Sequence, residues 1–318
     1  MKVTIWGARG SIPVALSAAA VRSKIEVALL RAAGRSLTTA DEVASFIDRE
    51  MSFSEAATFG GNSSCVQIET GAAEYLLCDL GSGARAFAVQ AMTRHGDTPQ
   101  TYNVLMSHLH WDHIMGFPFF TPAYIPGNTI RIHGCHAELE QAFRAQNRAP
   151  SFPVDFSMMR ANIEFVTLTQ DQPVSIAGFT VMPTKQHHGG DSYGYRLEKD
   201  GKTVIYTTDS EHKLDATVEI ERFVEFFRDA DLVIFDAMYS LAETMSIKED
   251  WGHSSNVVGL ELCQLARAKH LVLFHHEPVF DDHRIHQILQ ETIRLEEITR
   301  QDHAVTVSAA YDGLVIDV

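Results

Sequence analysis

At 318 residues with 45% apolar side chains and no low-complexity segment, the chain is long enough to bury a large core and to fold without help. Its formal net charge of −15 disfavours broad, sequence-independent binding to nucleic acid, which depends on basic surface. No apolar run is long enough to cross a bilayer, the first residues read as a strand and not as a signal peptide, and the four cysteines lack C-x-x-C spacing, so the expectation is a cytoplasmic protein with reduced thiols and no membrane partner.

In chain order, a strand is expected over residues 3–6, ending in the turn Gly7-Ala8-Arg9-Gly10-Ser11-Ile12-Pro13. Residues 16–58 then read as helical. Thr39-Ala40-Asp41-Glu42 is a capping-box pattern, and Val43, Phe46, Ile47 and Met51 fall on one face. Val21, Ile25 and Leu29 supply a partner helix. Such a hairpin must put its apolar face somewhere: over a pocket, against a second subunit, or on its own domain.

Strands are expected over 65–69 and 75–78, the second followed by Asp79, and again over 104–106. This last run meets His108-Leu109-His110-Trp111-Asp112-His113, four metal-capable side chains in six positions. Alternation along a strand points His108 and His110 the same way, while Asp112 and His113, on the turn, face a second point nearby. That pattern suits two metal ions in one pocket better than one ion in a closed cage. Further strands are expected over 129–133, 179–183, 193–197, 203–206, 232–235 and 271–274, and helices near 137–147, 220–229, 257–268 and 285–299. His188, Asp209 and His275 each lie where an apolar strand gives way to a loop. His187 and His276 are their immediate neighbours and remain alternatives. With no Pro-, Gly- or Ser-rich linker, the chain reads as one α/β domain over residues 1–318, two sheets with helices outside them.

The H-x-H-x-D-H run, with His188, Asp209 and His275 following in that order, resembles the signature of the metallo-β-lactamase superfamily. The resemblance implies an αββα sandwich of two mixed β-sheets with helices on both outer faces. It assigns His108, His110 and His188 to one ion, Asp112, His113 and His275 to the other, and Asp209 as the bridge. The cofactors expected are two divalent transition-metal ions, zinc first, with manganese or iron as alternatives. His188 is preferred over His187 because the family's H-P-G-D-S-Y pattern maps without a gap onto His188-Gly189-Gly190-Asp191-Ser192-Tyr193, with Gly189 in the proline's place. Asp79 is expected to brace the histidine loop from outside the ligand set.

Within the superfamily, Gly10-Ser11-Ile12-Pro13, the Gly60-Gly61-Asn62-Ser63-Ser64-Cys65 element and Trp251-Gly252-His253-Ser254-Ser255 resemble the branch that holds ribonuclease Z and cyclic nucleotide phosphodiesterases. In that branch residues 16–58 would be an insertion, and His253 a pocket residue that is not a ligand. The expected catalytic residues are His253, as proton donor or phosphate binder, with Asp112 and Asp209. The reading is a dinuclear metal-dependent hydrolase, a phosphodiesterase that cleaves a small cyclic nucleotide or related phosphodiester through a metal-bridging hydroxide. The alternatives are a ribonuclease Z-like nuclease, a lactonase or thioesterase of the same fold, and a metal-dependent sensor without turnover. A homodimer is compatible with this reading, and no extended nucleic-acid surface is evident.

Overall fold

The structure, a computed structural model, describes residues 1–212, 217–239 and 252–318. Among the described residues, fourteen strands form two sheets of seven. The first holds β1 (Lys2–Gly7), β2 (Cys65–Ile68), β3 (Glu74–Cys78), β4 (Thr101–Leu105), β5 (Thr129–Gly134), β6 (Asn162–Thr167) and β14 (Val315–Asp317), in the order β14-β1-β2-β3-β4-β5-β6. The second holds β7 (Val174–Ile176), β8 (Phe179–Gln186), β9 (Ser192–Lys199), β10 (Lys202–Thr207), β11 (Leu232–Asp236), β12 (His270–Phe274) and β13 (Thr306–Ala309), in the order β13-β12-β11-β10-β9-β8-β7. Both are mixed: β3 to β6 run parallel in one, β10 to β13 in the other, and the remaining pairs are antiparallel.

The period-two alternation of the strands sorts their side chains into layers. Val3, Ile5, Leu76 and Leu105 meet Val181, Leu197, Val204, Ile234 and Phe274 between the sheets. On the outer side of the first sheet, Leu77, Tyr102, Val104 and Ile130 pack with Ala84, Phe87 and Ala88 of a helix at Gly83–His95 and Phe143 of another at Leu139–Gln146. On the outer side of the second, Ile205, Val233 and Leu271 meet Phe223 and Phe227 of Thr217–Phe227, Leu260 and Cys263 of Asn256–Leu265, and Ile285 and Ile288 of Asp282–Thr299. This is the expected αββα sandwich. No helix among the described residues is long and apolar enough to cross a membrane.

The sequence reading missed the helix at Gly83–His95 and strands β6, β7, β13 and β14. The helix buries Gly83, Ala84, Phe87, Ala88 and Ala91, mostly small side chains that leave little amphipathic pattern. The missed strands lie at or next to sheet edges, where few residues are buried and the alternation is weak.

Residues 16–58 hold helices at Ala18–Ala32 and Ala40–Glu50, the second with the expected reciprocal Thr39–Glu42 capping box. A short third helix, Phe53–Ala56, seats Phe53 against Phe59 and Tyr311. The segment is tied to the sandwich by an ion pair from Lys24 Nζ to Asp282 Oδ2 at 2.8 Å, and within itself by Arg31 to Glu55 at 2.6 Å. Its apolar face stays in water: the first helix buries no residue, the second buries only Phe46, and Val21, Ile25, Leu29 and Ile47 are exposed. Chemical denaturation should therefore show a contrast. Phe53→Ala is expected to cost roughly 2 kcal/mol or more, and Ile25→Ser less than about 0.5 kcal/mol. A large loss at Ile25 would mean that this face is covered in the folded protein.

Candidate metal centre

The strands that run parallel within the two sheets deliver their carboxyl ends to one edge of the sandwich. Binding sites of open α/β sheets lie at this edge. Asp79 follows β3, His108 lies just past β4, His188 follows β8, Asp209 follows β10, Asp236 closes β11 and His275 follows β12. Asp79, Asp209 and His275 leave their strands with left-handed backbone, φ +60°, +47° and +59°. That conformation costs a non-glycine residue on the order of 1 kcal/mol or more and occurs where a site demands a particular side-chain direction. Gly10 is shaped by the same crowding: a Cβ there would lie 2.6 Å from the His275 ring.

Four overlapping groups of candidate ligands result among the described residues; two of them, His188–Asp209–His253 and Asp236–His253–His275, include His253, and the other two divide the residues named from the sequence. His108, His110 and His188 converge on one point, and Asp112, His113, Asp209 and His275 on another. Asp209 faces both. Its Oδ1 lies 3.1 Å from His113 Nε2 and 3.2 Å from His275 Nε2, and its Oδ2 lies 3.6 Å from His108 Nε2 and 3.8 Å from His188 Nε2. All seven candidate ligands named from the sequence are thus brought together at one place. The neighbouring histidines do not join them: His187 Nε2 turns outward to Glu219 at 2.6 Å, and His276 Nε2 is engaged by the carbonyl of Ala310 at 2.9 Å.

Two of the rings, His113 and His188, are steered from behind. His113 Nδ1 lies 2.7 Å from Asp79 Oδ2, so Nε2 is the nitrogen turned to the centre. Asp79 also accepts from Ser107 Oγ at 2.6 Å, Ser107 N at 2.8 Å and Tyr206 OH at 2.7 Å, pinning the start of the histidine loop. His188 Nδ1 is fixed by the Gly252 carbonyl at 2.8 Å. Outer partners of this kind orient ligands and typically carry 10- to 100-fold in metal affinity. Asp79→Asn should accordingly weaken metal binding by about 10- to 100-fold in a chelator competition, without unfolding the chain. An unchanged affinity would show that the loop holds itself.

The electrostatics fit divalent cations. Asp79, Asp112, Asp209 and Asp236 are 0%, 5%, 2% and 0% exposed, and among the described residues only histidines form ion pairs with them. Buried carboxylates without a cation are costly. Burial, aided by the charge of His113, pushes His108 well below its ordinary value and so favours the neutral imidazole that binds metal. Burial would raise Asp209, yet His275, His113 and His108 hold it well below the usual carboxylate range. His108 Nε2 and His113 Nε2 are buried without a hydrogen bond and meet only carboxylates of the same cluster, His108 facing Asp209 at 3.6 Å and His113 facing Asp112 and Asp209 at 3.2 and 3.1 Å. The residues present therefore suit the divalent ions that this fold implies.

His253 lies beside the two groups. Its ring is stacked on His275 at 5.2 Å and its Nδ1 is 4.0 Å from Asp209 Oδ2. Nδ1 is held at 2.8 Å by Asp236, which also accepts from Ser210 N and Met238 N. Burial would lower the His253 pKa, but the carboxylates of Asp236, then Asp209 and Asp112, together outweigh it and lift the value to about 9. Ser255 caps the next helix, accepting from Val258 N, so this segment serves structure as well. Trp251, at its start, lies outside the described residues. Asp236 was not anticipated, although it ends the apolar run Leu232-Val233-Ile234-Phe235 as Asp209 ends its own.

With this geometry in hand, comparison with known proteins is decisive for the family. Residues 75–276 match the model of the β-lactamase superfamily domain. The chain belongs to the metallo-β-lactamase superfamily of hydrolases. It is 25% identical over 179 residues to the probable metallo-hydrolase YhfI of Bacillus subtilis, a match covering 54% of this chain and 64% of that protein. Ribonuclease Z of Geobacillus kaustophilus is 23% identical over 222 residues, covering 54% of this chain and 69% of its own length. The crystal structure of YhfI superimposes with a TM-score of 0.65 at 20% identity, covering 99% of this chain and 98% of YhfI. That of yeast PDE1 gives 0.65 at 13% identity, covering 100% and 99%, a likeness of fold alone.

Proposed function

We propose that this chain is a dinuclear metal-dependent phosphodiesterase acting on a small cyclic nucleotide or a related phosphodiester. The observation that carries the reading is the His253–Asp236 pair set beside the two ligand groups. Hydrolysis of an alkyl phosphodiester expels an alkoxide, which leaves poorly unless it is protonated. With Asp236 engaging Nδ1, the other ring nitrogen of His253 is the one free to deliver a proton or bind a phosphoryl oxygen. His108, His110 and His188 would hold one ion and Asp112, His113 and His275 the other, with Asp209 between them. Zinc is the first choice for such a donor set, and manganese or iron also suit it. When bound, the ions supply Lewis acidity and a nucleophile at neutral pH. Asp79, Ser107 and the Gly252 carbonyl keep the histidines oriented, and Asp236 keeps His253 oriented.

The relatives named ribonuclease Z favour the same bond type, and the −15 net charge favours a small substrate over a long polyanion. The test is substrate choice by zinc- or manganese-loaded protein. Bis(p-nitrophenyl) phosphate and a cyclic nucleotide are expected to be hydrolysed, and a lactone, a thioester and a β-lactam to be spared. Turnover of one of those three without phosphodiester cleavage would overturn the reading.

A further inference from the structure

Three large apolar side chains stand in water on loops that meet the polar centre: Trp111 at 72% exposure, Ile12 at 57% and Val279 at 79%. Each is close in sequence to the site. Trp111 sits between His110 and Asp112, Ile12 two residues past Gly10, which is pressed on the His275 ring, and Val279 four residues past His275. The segments that carry them are braced together. Gly10 N donates to the His276 carbonyl at 3.0 Å and Arg9 Nη1 to the Phe280 carbonyl at 2.8 Å, tying the first loop to the last. Ser63, bridged to Arg9, donates through Oγ to the Asp112 carbonyl at 2.7 Å, tying both to the turn that bears Trp111.

Backbone from the other sheet passes close beside His110. The segment that reaches it is Gly189-Gly190: a Cβ at Gly190 would stand 3.3 Å from His110 Nε2, and one at Gly189 would meet nothing within 4 Å. Small-molecule sites combine apolar and aromatic walls with a few polar groups at the reacting point. A tryptophan held in water has a flat, rigid face and needs little entropy to use it.

We infer that Trp111, flanked by Ile12 and Val279, is the platform on which a planar group of the substrate, a nucleobase, stacks next to the metal centre. The inference rests on the phosphodiesterase reading and names what selects its substrate. A base laid on an aromatic face gains affinity without base-specific hydrogen bonds, so the platform takes purines and pyrimidines alike and prefers the larger ring.

The experiment is calorimetric titration of zinc-loaded full-length protein with AMP and with ribose 5-phosphate, which share the phosphate and sugar and differ in the base. The wild type is expected to bind AMP the more tightly. Trp111→Ala should weaken AMP binding by about 10-fold and change ribose 5-phosphate by less than about 2-fold, with zinc content unchanged. Trp111→Phe should keep most of the AMP affinity. If the alanine variant loses zinc, Trp111→Leu, which keeps bulk without a flat face, supplies the same comparison. Equal affinities for the two ligands in the wild type, or equal losses for both in the variants, would overturn the platform. AMP preference in a protein that hydrolyses no phosphodiester would sink the phosphodiesterase reading and leave the platform standing; hydrolysis without AMP preference would do the reverse.

Discussion

Asp209→Ala is expected to abolish occupancy of the metal pair. Its two oxygens face the two halves of the site, 3.1 and 3.2 Å from His113 and His275 on one side and 3.6 and 3.8 Å from His108 and His188 on the other. No other carboxylate of the described site spans both groups. Losing it removes a ligand from each group and the negative charge that offsets two dications. Metal analysis should find about two ions per chain in the wild type saturated with zinc and fewer than one in the variant. Phosphodiester turnover should fall by on the order of 10³-fold or more, because several kcal/mol of charge stabilisation at ~1.4 kcal/mol per tenfold leaves with the ions. A variant that keeps one tightly held ion would show that the halves are independent and that Asp209 belongs to one of them.

His253→Ala should act differently, lowering kcat by about 10²- to 10⁴-fold while metal content stays at the wild-type value. The size of the loss should depend on the leaving group. A cyclic nucleotide, which expels an alkoxide, needs the proton and should suffer most. Bis(p-nitrophenyl) phosphate expels an already acidic phenolate and should suffer least. Asp236→Asn should reproduce the same leaving-group dependence in weaker form, since Asp236 touches no substrate and works by holding Nδ1. Equal losses for both substrates would point to phosphate positioning. Loss of metal from His253→Ala would make His253 a ligand, which its distance to His188 and Asp209 permits.

Much of this site could be read from the chain because ligands at strand ends leave a local signature. An apolar run stops and a histidine or aspartate follows, as at His108, Asp209 and His275. The pairing of sheets that joins these ends is long-range, and the order of the ligands along the chain was legible only through resemblance to a family. Adjacent histidines could not be separated by spacing alone. In the structure His187 faces Glu219 and His276 faces the Ala310 carbonyl, both turned away from the candidate cluster. Asp236 carried the same strand-end signature as Asp209, but its partner His253 is distant in sequence, and the pairing exists only in three dimensions. The exposure of Trp111 was equally hidden, since a tryptophan inside a ligand motif looks the same whether it packs inward or stands in water.

The proposed function needs two ions working together on a phosphodiester. The direct measurement is zinc titration into chelator-stripped protein, with the hydrolysis rate of bis(p-nitrophenyl) phosphate followed against equivalents added. The rate is expected to stay low through the first equivalent, rise steeply with the second and level off at about two per chain. A plateau at one equivalent, or no hydrolysis at any loading, would contradict the account.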